Sequence, residues 1–189
     1  RRFSQCVISK LLCGPRKIGG RLMKTAILIG FMGAGKTTVG RLLAEMLAVP
    51  LTDTDKMIIR KTGQTPGEIF ATEGEPAFRA LEHDVLQEVI NNEGIIATGG
   101  GIIETPGNIQ LLSEANVPVF YLSGSFGQTM ERLADDDTRP ILRSKTLMEV
   151  AALWRSRLPK YDAAASHVIA TDNKTVAEVA NEIRDLLGE

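Results

Sequence analysis

Apolar residues recur along this chain in two rhythms, short unbroken runs and stripes spaced three or four apart, and the two alternate. Thr25 to Ile29 is an apolar run ending at Gly30, which predicts a buried parallel strand. Val39, Leu42, Leu43, Met46 and Leu47 then stripe one face of a helix over 36–47. Further strands are predicted at Pro50 to Thr52, Gly94 to Thr98, Val117 to Leu122 and His167 to Ala170. Thr65-Pro66-Gly67-Glu68 opens a helix, with Thr as N-cap, Pro at the first position and Glu closing a capping box. A second helix starts near Pro76 on the stripe Phe78, Leu81, Val85 and Val89, and a third at Thr105-Pro106. Ser125 to Gln128 reads as another capping box, opening a helix to about Ala134. Helical spacing returns over Leu147 to Tyr161 and over Val176 to Leu187, while 135–145 is polar and irregular. Five strands alternating with helices predict an α/β fold, three layers of α/β/α about a five-stranded parallel sheet.

Charge separates one end from the rest. Residues 1–22 hold six bases and no acid, whereas 23–189 hold 16 bases against 23 acids. The expected organisation is therefore a basic extension over 1–22 outside the fold and a single domain over 23–189. The extension reads as an Arg-rich transit peptide, or as an expression scar or upstream translation before a start at Met23. An acidic body argues against nucleic acid as a partner, and no apolar run nears the roughly 20 residues of a membrane span. Cys6 and Cys13 both lie in the extension. A body without cysteine suggests neither a disulfide framework nor a Cys-rich metal site, and points to a reducing cytoplasm.

Candidate chemistry begins at Gly30, where GFMGAGKT fits G-x-x-x-x-G-K-[ST] between a strand and a helix. Glycines let the backbone turn its N–H groups onto an anion, and the helix start adds positive partial charge. Gly33, Ala34, Gly35, Lys36, Thr37 and Thr38 are the expected ATP-binding residues. Lys36 reaches the β- and γ-phosphates, and the Thr37 hydroxyl serves Mg²⁺. The motif thus predicts a loop that holds a nucleoside triphosphate.

Three stretches bear on the acceptor. Asp53 and Asp55 follow the second strand. If the chain stays extended they share a face beyond the sheet edge, where ligands of open parallel sheets bind; otherwise Asp caps the next helix. Gly99, Gly100 and Gly101 follow the third strand and permit close backbone contact with a substrate, or merely turn the chain. Arg79, one residue past Phe78, and Arg157, near the end of the long helix, would suit a carboxylate if they converge, and are solvated surface groups if they do not. His83 is expected on the exposed side of its helix. Neither it nor His167 has metal-ligand spacing, so both read as structural.

GFMGAGKTTVGRLLA, LTDTD, TGQTPGEIFATEGEPAFRALE, ATGGG, TRPIL and RLPKY together resemble the shikimate kinase family, in that family's order and from Met23 onward. The resemblance implies a P-loop kinase fold of the nucleoside monophosphate kinase type and transfer of the ATP γ-phosphoryl to the 3-hydroxyl of shikimate. It implies Asp55 at the substrate hydroxyls as candidate base, Asp53 on the magnesium side, and Arg79 and Arg157 on the carboxylate with backbone N–H groups near Gly100 and Gly101. Arg139 would reach the phosphates from a lid over 135–145. Arg132 would be a lesser nucleotide contact, and Lys174 a weak one on the adenine side. The acids Asp135, Asp136 and Asp137 are expected to face solvent. A monomer with shikimate as its small-molecule partner is expected. A related kinase, such as one for gluconate or a nucleoside monophosphate, and a non-catalytic ATP-binding regulator stand as alternatives.

Overall fold

A computed structural model of the chain describes residues 17–18, 21–22, 25–134 and 145–188. Two short strands, β1 (Lys17–Ile18) and β2 (Arg21–Leu22), pair antiparallel in a sheet of their own. The expected lid, with Arg139 and the acids at 135–137, and residues 1–16 of the basic extension lie outside the described residues.

The main sheet has five strands: β3 (Ala26–Ile29), β4 (Leu51–Asp53), β5 (Ile95–Ala97), β6 (Val119–Ser123) and β7 (His167–Ala170). Their order is β4-β5-β3-β6-β7, and every pairing is parallel. The run after Thr25 thus becomes the central strand, with Ile27 beside Ile96 on one side and Val119 on the other. Alternation along β3 divides the core in two. Ile27 and Ile29 pack with Ile96, Tyr121 and the helices α4 (Glu75–Val89), α5 (Pro106–Ser113) and α7 (Leu147–Ala164). Ala26 and Leu28 face the other way, onto α1 (Lys36–Leu47) and α8 (Val176–Leu186). All four β3 side chains are completely buried. Cutting one of the isoleucines to Ala should cost about 2–5 kcal/mol, since a strand held between two helical layers cannot collapse to fill the void.

Two elements differ from the sequence reading. Helix α2 (Thr54–Thr62) starts immediately after β4. Asp53 is its N-cap, with Oδ1 accepting from the Lys56 N–H at 3.2 Å, and Asp55 lies in its first turn. The chain is therefore not extended through Asp55, and a period of two does not relate the carboxylates; capping won because a free helix start needs an acceptor. The capping box of α3 (Pro66–Thr72) forms as expected, with Thr65 N–H to Glu68 at 2.6 Å and Glu68 N–H to Thr65 at 3.3 Å. The one expected at α6 (Phe126–Ala134) forms by half. Gln128 N–H reaches Ser125 Oγ at 3.4 Å, but the Ser125 N–H goes to the Asp172 carboxylate at 2.9 and 3.0 Å, and the Gln128 amide bonds Asn173. A carboxylate acceptor from a distant loop outcompetes a neutral local amide.

Candidate active site

The phosphate-loop motif occupies the turn between β3 and α1. Gly33 and Gly35 have φ of 77° and 87°, which side chains with a Cβ rarely adopt. Lys36 opens α1 and folds back over the loop, its Nζ donating to the carbonyls of Gly30 at 2.8 Å and Phe31 at 2.9 Å. Its ammonium is thereby held over the centre of the loop. The Thr37 hydroxyl donates to Asp53 Oδ2 at 2.9 Å. One aspartate thus caps α2 with one oxygen and meets the loop threonine with the other. A hydroxyl and a carboxylate side by side are hard oxygen donors of the kind Mg²⁺ accepts, with water and phosphate oxygens completing its shell.

A cavity of about 420 Å³ opens above this turn. Residues 33–39 line it along one side, with Asp53, Asp55 and Gly100 at one end and Arg132, Thr171 and Lys174 at the other. Arg132 donates to the Thr171 hydroxyl at 3.2 Å and carbonyl at 2.9 Å, fixing its guanidinium against the loop after β7. Lys174 pairs with Glu182 at 2.5 Å.

The two arginines converge on the glycine turn after β5. Arg79, from α4, donates Nη1 to the Gly101 carbonyl at 3.2 Å and to the buried Glu82, while Nε and Nη2 reach Glu75 at 3.1 and 3.0 Å. Its guanidinium lies over Phe70 and Phe78, 5.6 and 5.4 Å from the ring centroids. Arg157, from α7, donates Nη1 to the Gly100 carbonyl at 3.4 Å and Nε to Glu104 at 2.6 Å, and stacks 5.6 Å from the Phe31 ring. Tyr161 adds its hydroxyl to the same Gly100 carbonyl at 2.5 Å. The glycines are required by crowding. A Cβ on Gly99 would meet Asp55 Oδ1 at 2.6 Å and Glu82 Oε1 at 2.9 Å, and one on Gly101 would meet Arg79 Nη1 at 2.2 Å.

Charge balance explains how these groups tolerate one another. Burial raises the Glu82 carboxyl to about 7, against the pull of Arg79, with Asp55 pushing the same way and Arg157 opposing. For Arg79, burial favours loss of the proton, but Glu82 and Glu75 outweigh it and hold the guanidinium charged. Burial likewise raises Glu104, yet hydrogen bonds from Lys160 and Arg157 bring it below the usual carboxylate range.

Glu82, Glu104 and Tyr161 were not singled out from the sequence. Glu82 had a signal, since it follows Arg79 by three residues on one helical face. Nothing local ties Glu104 to Arg157. His83 is half-buried rather than exposed, its Nδ1 2.6 Å from Oδ1 of the fully buried Asn108, which supports a structural role. His167 stacks on Phe120 at 5.0 Å, and burial lowers its pKa. Among the described residues no cluster of three His, Cys, Asp or Glu could hold a metal, and no helix is long and apolar enough to cross a membrane.

Comparison with known proteins agrees with this geometry. A family model described as SKI: Shikimate kinase matches residues 32–187. The shikimate kinase of Moorella thermoacetica is 44% identical over 162 residues, covering 85% of this chain and 92% of that protein. That of Limosilactobacillus fermentum is 42% identical over 158 residues, covering 83% and 91%. Among solved structures, the shikimate kinase of Acinetobacter baumannii in complex with shikimate superposes with a TM-score of 0.81 at 37% identity, covering 86% of this chain and 92% of that one. A gluconokinase from Sinorhizobium meliloti, 16% identical with a TM-score of 0.59, shares the fold.

Proposed function

The chain belongs to the shikimate kinase family, and from that premise we propose which of its residues carry the phosphorylation of shikimate by ATP. The observation that carries the reading is the meeting of Arg79 and Arg157 on consecutive carbonyls beside the cavity that Lys36 and Asp55 line. Shikimate carries both a carboxylate and hydroxyls, and one glycine turn gathers two guanidinium groups and the Asp55 carboxylate.

In this reading, ATP lies along residues 33–38, with its phosphates on the loop N–H groups and the start of α1. Lys36 leaves the loop carbonyls for the β- and γ-phosphates, exchanging two neutral acceptors for charged ones. Arg132 steadies the nucleotide and Lys174 lies on its adenine side. Thr37 and Asp53 would hold Mg²⁺, which would supply charge neutralisation at the phosphate oxygens. Arg79 and Arg157 grip the shikimate carboxylate, assisted by backbone N–H groups of Gly100 and Gly101. Asp55 aligns the 3-hydroxyl and takes its proton as the oxygen attacks Pγ. The bond from Pγ to the bridging oxygen breaks and ADP leaves. Positioning and charge are most of what phosphoryl transfer asks of a protein.

A body without cysteine supports a reducing cytoplasm. The test is ADP release from ATP and Mg²⁺ with shikimate, gluconate or a nucleoside monophosphate as acceptor. Stimulation by shikimate alone is expected, and stimulation by gluconate alone or by no acceptor overturns the reading.

A further inference from the structure

Glu82 is the one carboxylate among the described residues that is almost wholly buried, 1% exposed, and phosphoryl transfer as set out above makes no use of it. Four charged groups bear on it. Arg79, one turn earlier on α4, pairs with it directly. Asp55, on α2, crowds the same Cβ position of Gly99 as Glu82 does. Arg157, on α7, contributes at longer range. Glu75 acts on it through Arg79, whose remaining nitrogens it holds. His83, the next residue, turns away to Asn108.

A carboxylate that docks on Arg79 must share a guanidinium that already serves two others. Glu75 is exposed and can move into water. Glu82 cannot, because it is enclosed by α4, the glycine turn and Asp55. A buried carboxylate that loses part of its only direct cationic partner neutralises in preference to remaining charged. We propose that Glu82, already paired with Arg79, takes up a proton when the carboxylate of the substrate docks on that guanidinium. In the empty site the ionised Glu82 holds Arg79 against the Gly101 carbonyl. In the occupied site the incoming carboxylate replaces that charge, and protonation removes the repulsion between three carboxylates around one guanidinium. Burial already raises Glu82 to about 7, so a small loss of attraction suffices near neutral pH. The inference rests on the assignment of Arg79 to the shikimate carboxylate.

Calorimetric titration of shikimate at pH 7.5, in buffers of differing ionisation enthalpy, measures the protons exchanged on binding. The expected result is net uptake of a fraction of a proton by the wild type. None is expected with a shikimate carboxamide, which lacks the charge, nor with the Glu82→Gln variant, which binds but cannot titrate. Zero uptake by the wild type overturns the inference without reference to any variant, as does equal uptake by Glu82→Gln or with the carboxamide. The Arg79→Ala variant separates this from failure of the underlying assignment. If its shikimate affinity is unchanged, the assignment of Arg79 fails. If affinity is lost while wild-type binding takes up no proton, the inference alone fails.

Discussion

Arg79 Nη1 stands 2.2 Å from where a Cβ would sit on Gly101, and the same nitrogen donates to the Gly101 carbonyl. The glycine is therefore the floor on which that guanidinium rests. Its φ of −97° is open to any residue, so the demand is for space. Gly101→Ala should fold, displace Arg79 and raise KM for shikimate about 10-fold or more, with KM for ATP within about twofold. Steady-state kinetics varying each substrate checks this, and an unchanged shikimate KM would mean that Arg79 does not hold the substrate.

Lys36 Nζ donates to the loop carbonyls of Gly30 and Phe31, and its place at the start of α1 is kept by the helix itself. Lys36→Ala should lower kcat roughly 100- to 1,000-fold while leaving thermal stability nearly intact. Near-normal turnover would remove the residue from its assigned role.

Arg157 is buried to 3% exposure and shares Glu104 with Lys160. Arg157→Ala should weaken shikimate binding by about 10- to 100-fold, the worth of one or two charged hydrogen bonds. Glu104→Ala leaves the guanidinium in place without its Nε partner, so it should produce the same selective rise in shikimate KM at smaller size. A loss of ATP affinity in either variant would reassign the residue.

Glu82 also predicts a pH dependence of stability. Its pKa rises from an ordinary 4.5 in the unfolded chain to about 7 in the folded one. Between those values the folded state binds more protons, so stability from this group falls as pH rises from about 4.5 to about 7 and then levels off. Urea unfolding of the wild type against Glu82→Gln should show the difference between them growing across that window. A difference that is flat with pH contradicts a raised Glu82.

Local signals decided a large part of this protein. The strand before Gly30, the helix stripe of α1 and the Thr65–Glu68 capping box depend on residues a few positions apart, and each formed where the pattern placed it. The DTD stretch shows the limit, because extended chain and helix cap are both local options for Asp53. The choice went to the cap, with Thr37 taking the other oxygen. Ser125 shows the same limit, since Asp172 stands 47 positions away.

The chain by itself determined a strand-loop-helix of phosphate-loop pattern, the alternation that makes a parallel sheet, and which charged residues were available to a substrate. Only the tertiary structure decided that Arg79 and Arg157 end on neighbouring carbonyls, that Glu82 holds the first and Glu104 the second, and that a buried acid and Asp55 crowd the same glycine. Hydrogen-bond periodicity is written within a turn or a strand. Convergence of groups from separate helices follows from how those helices pack on the sheet, and burial, which sets the charge of Glu82, exists only once they have packed.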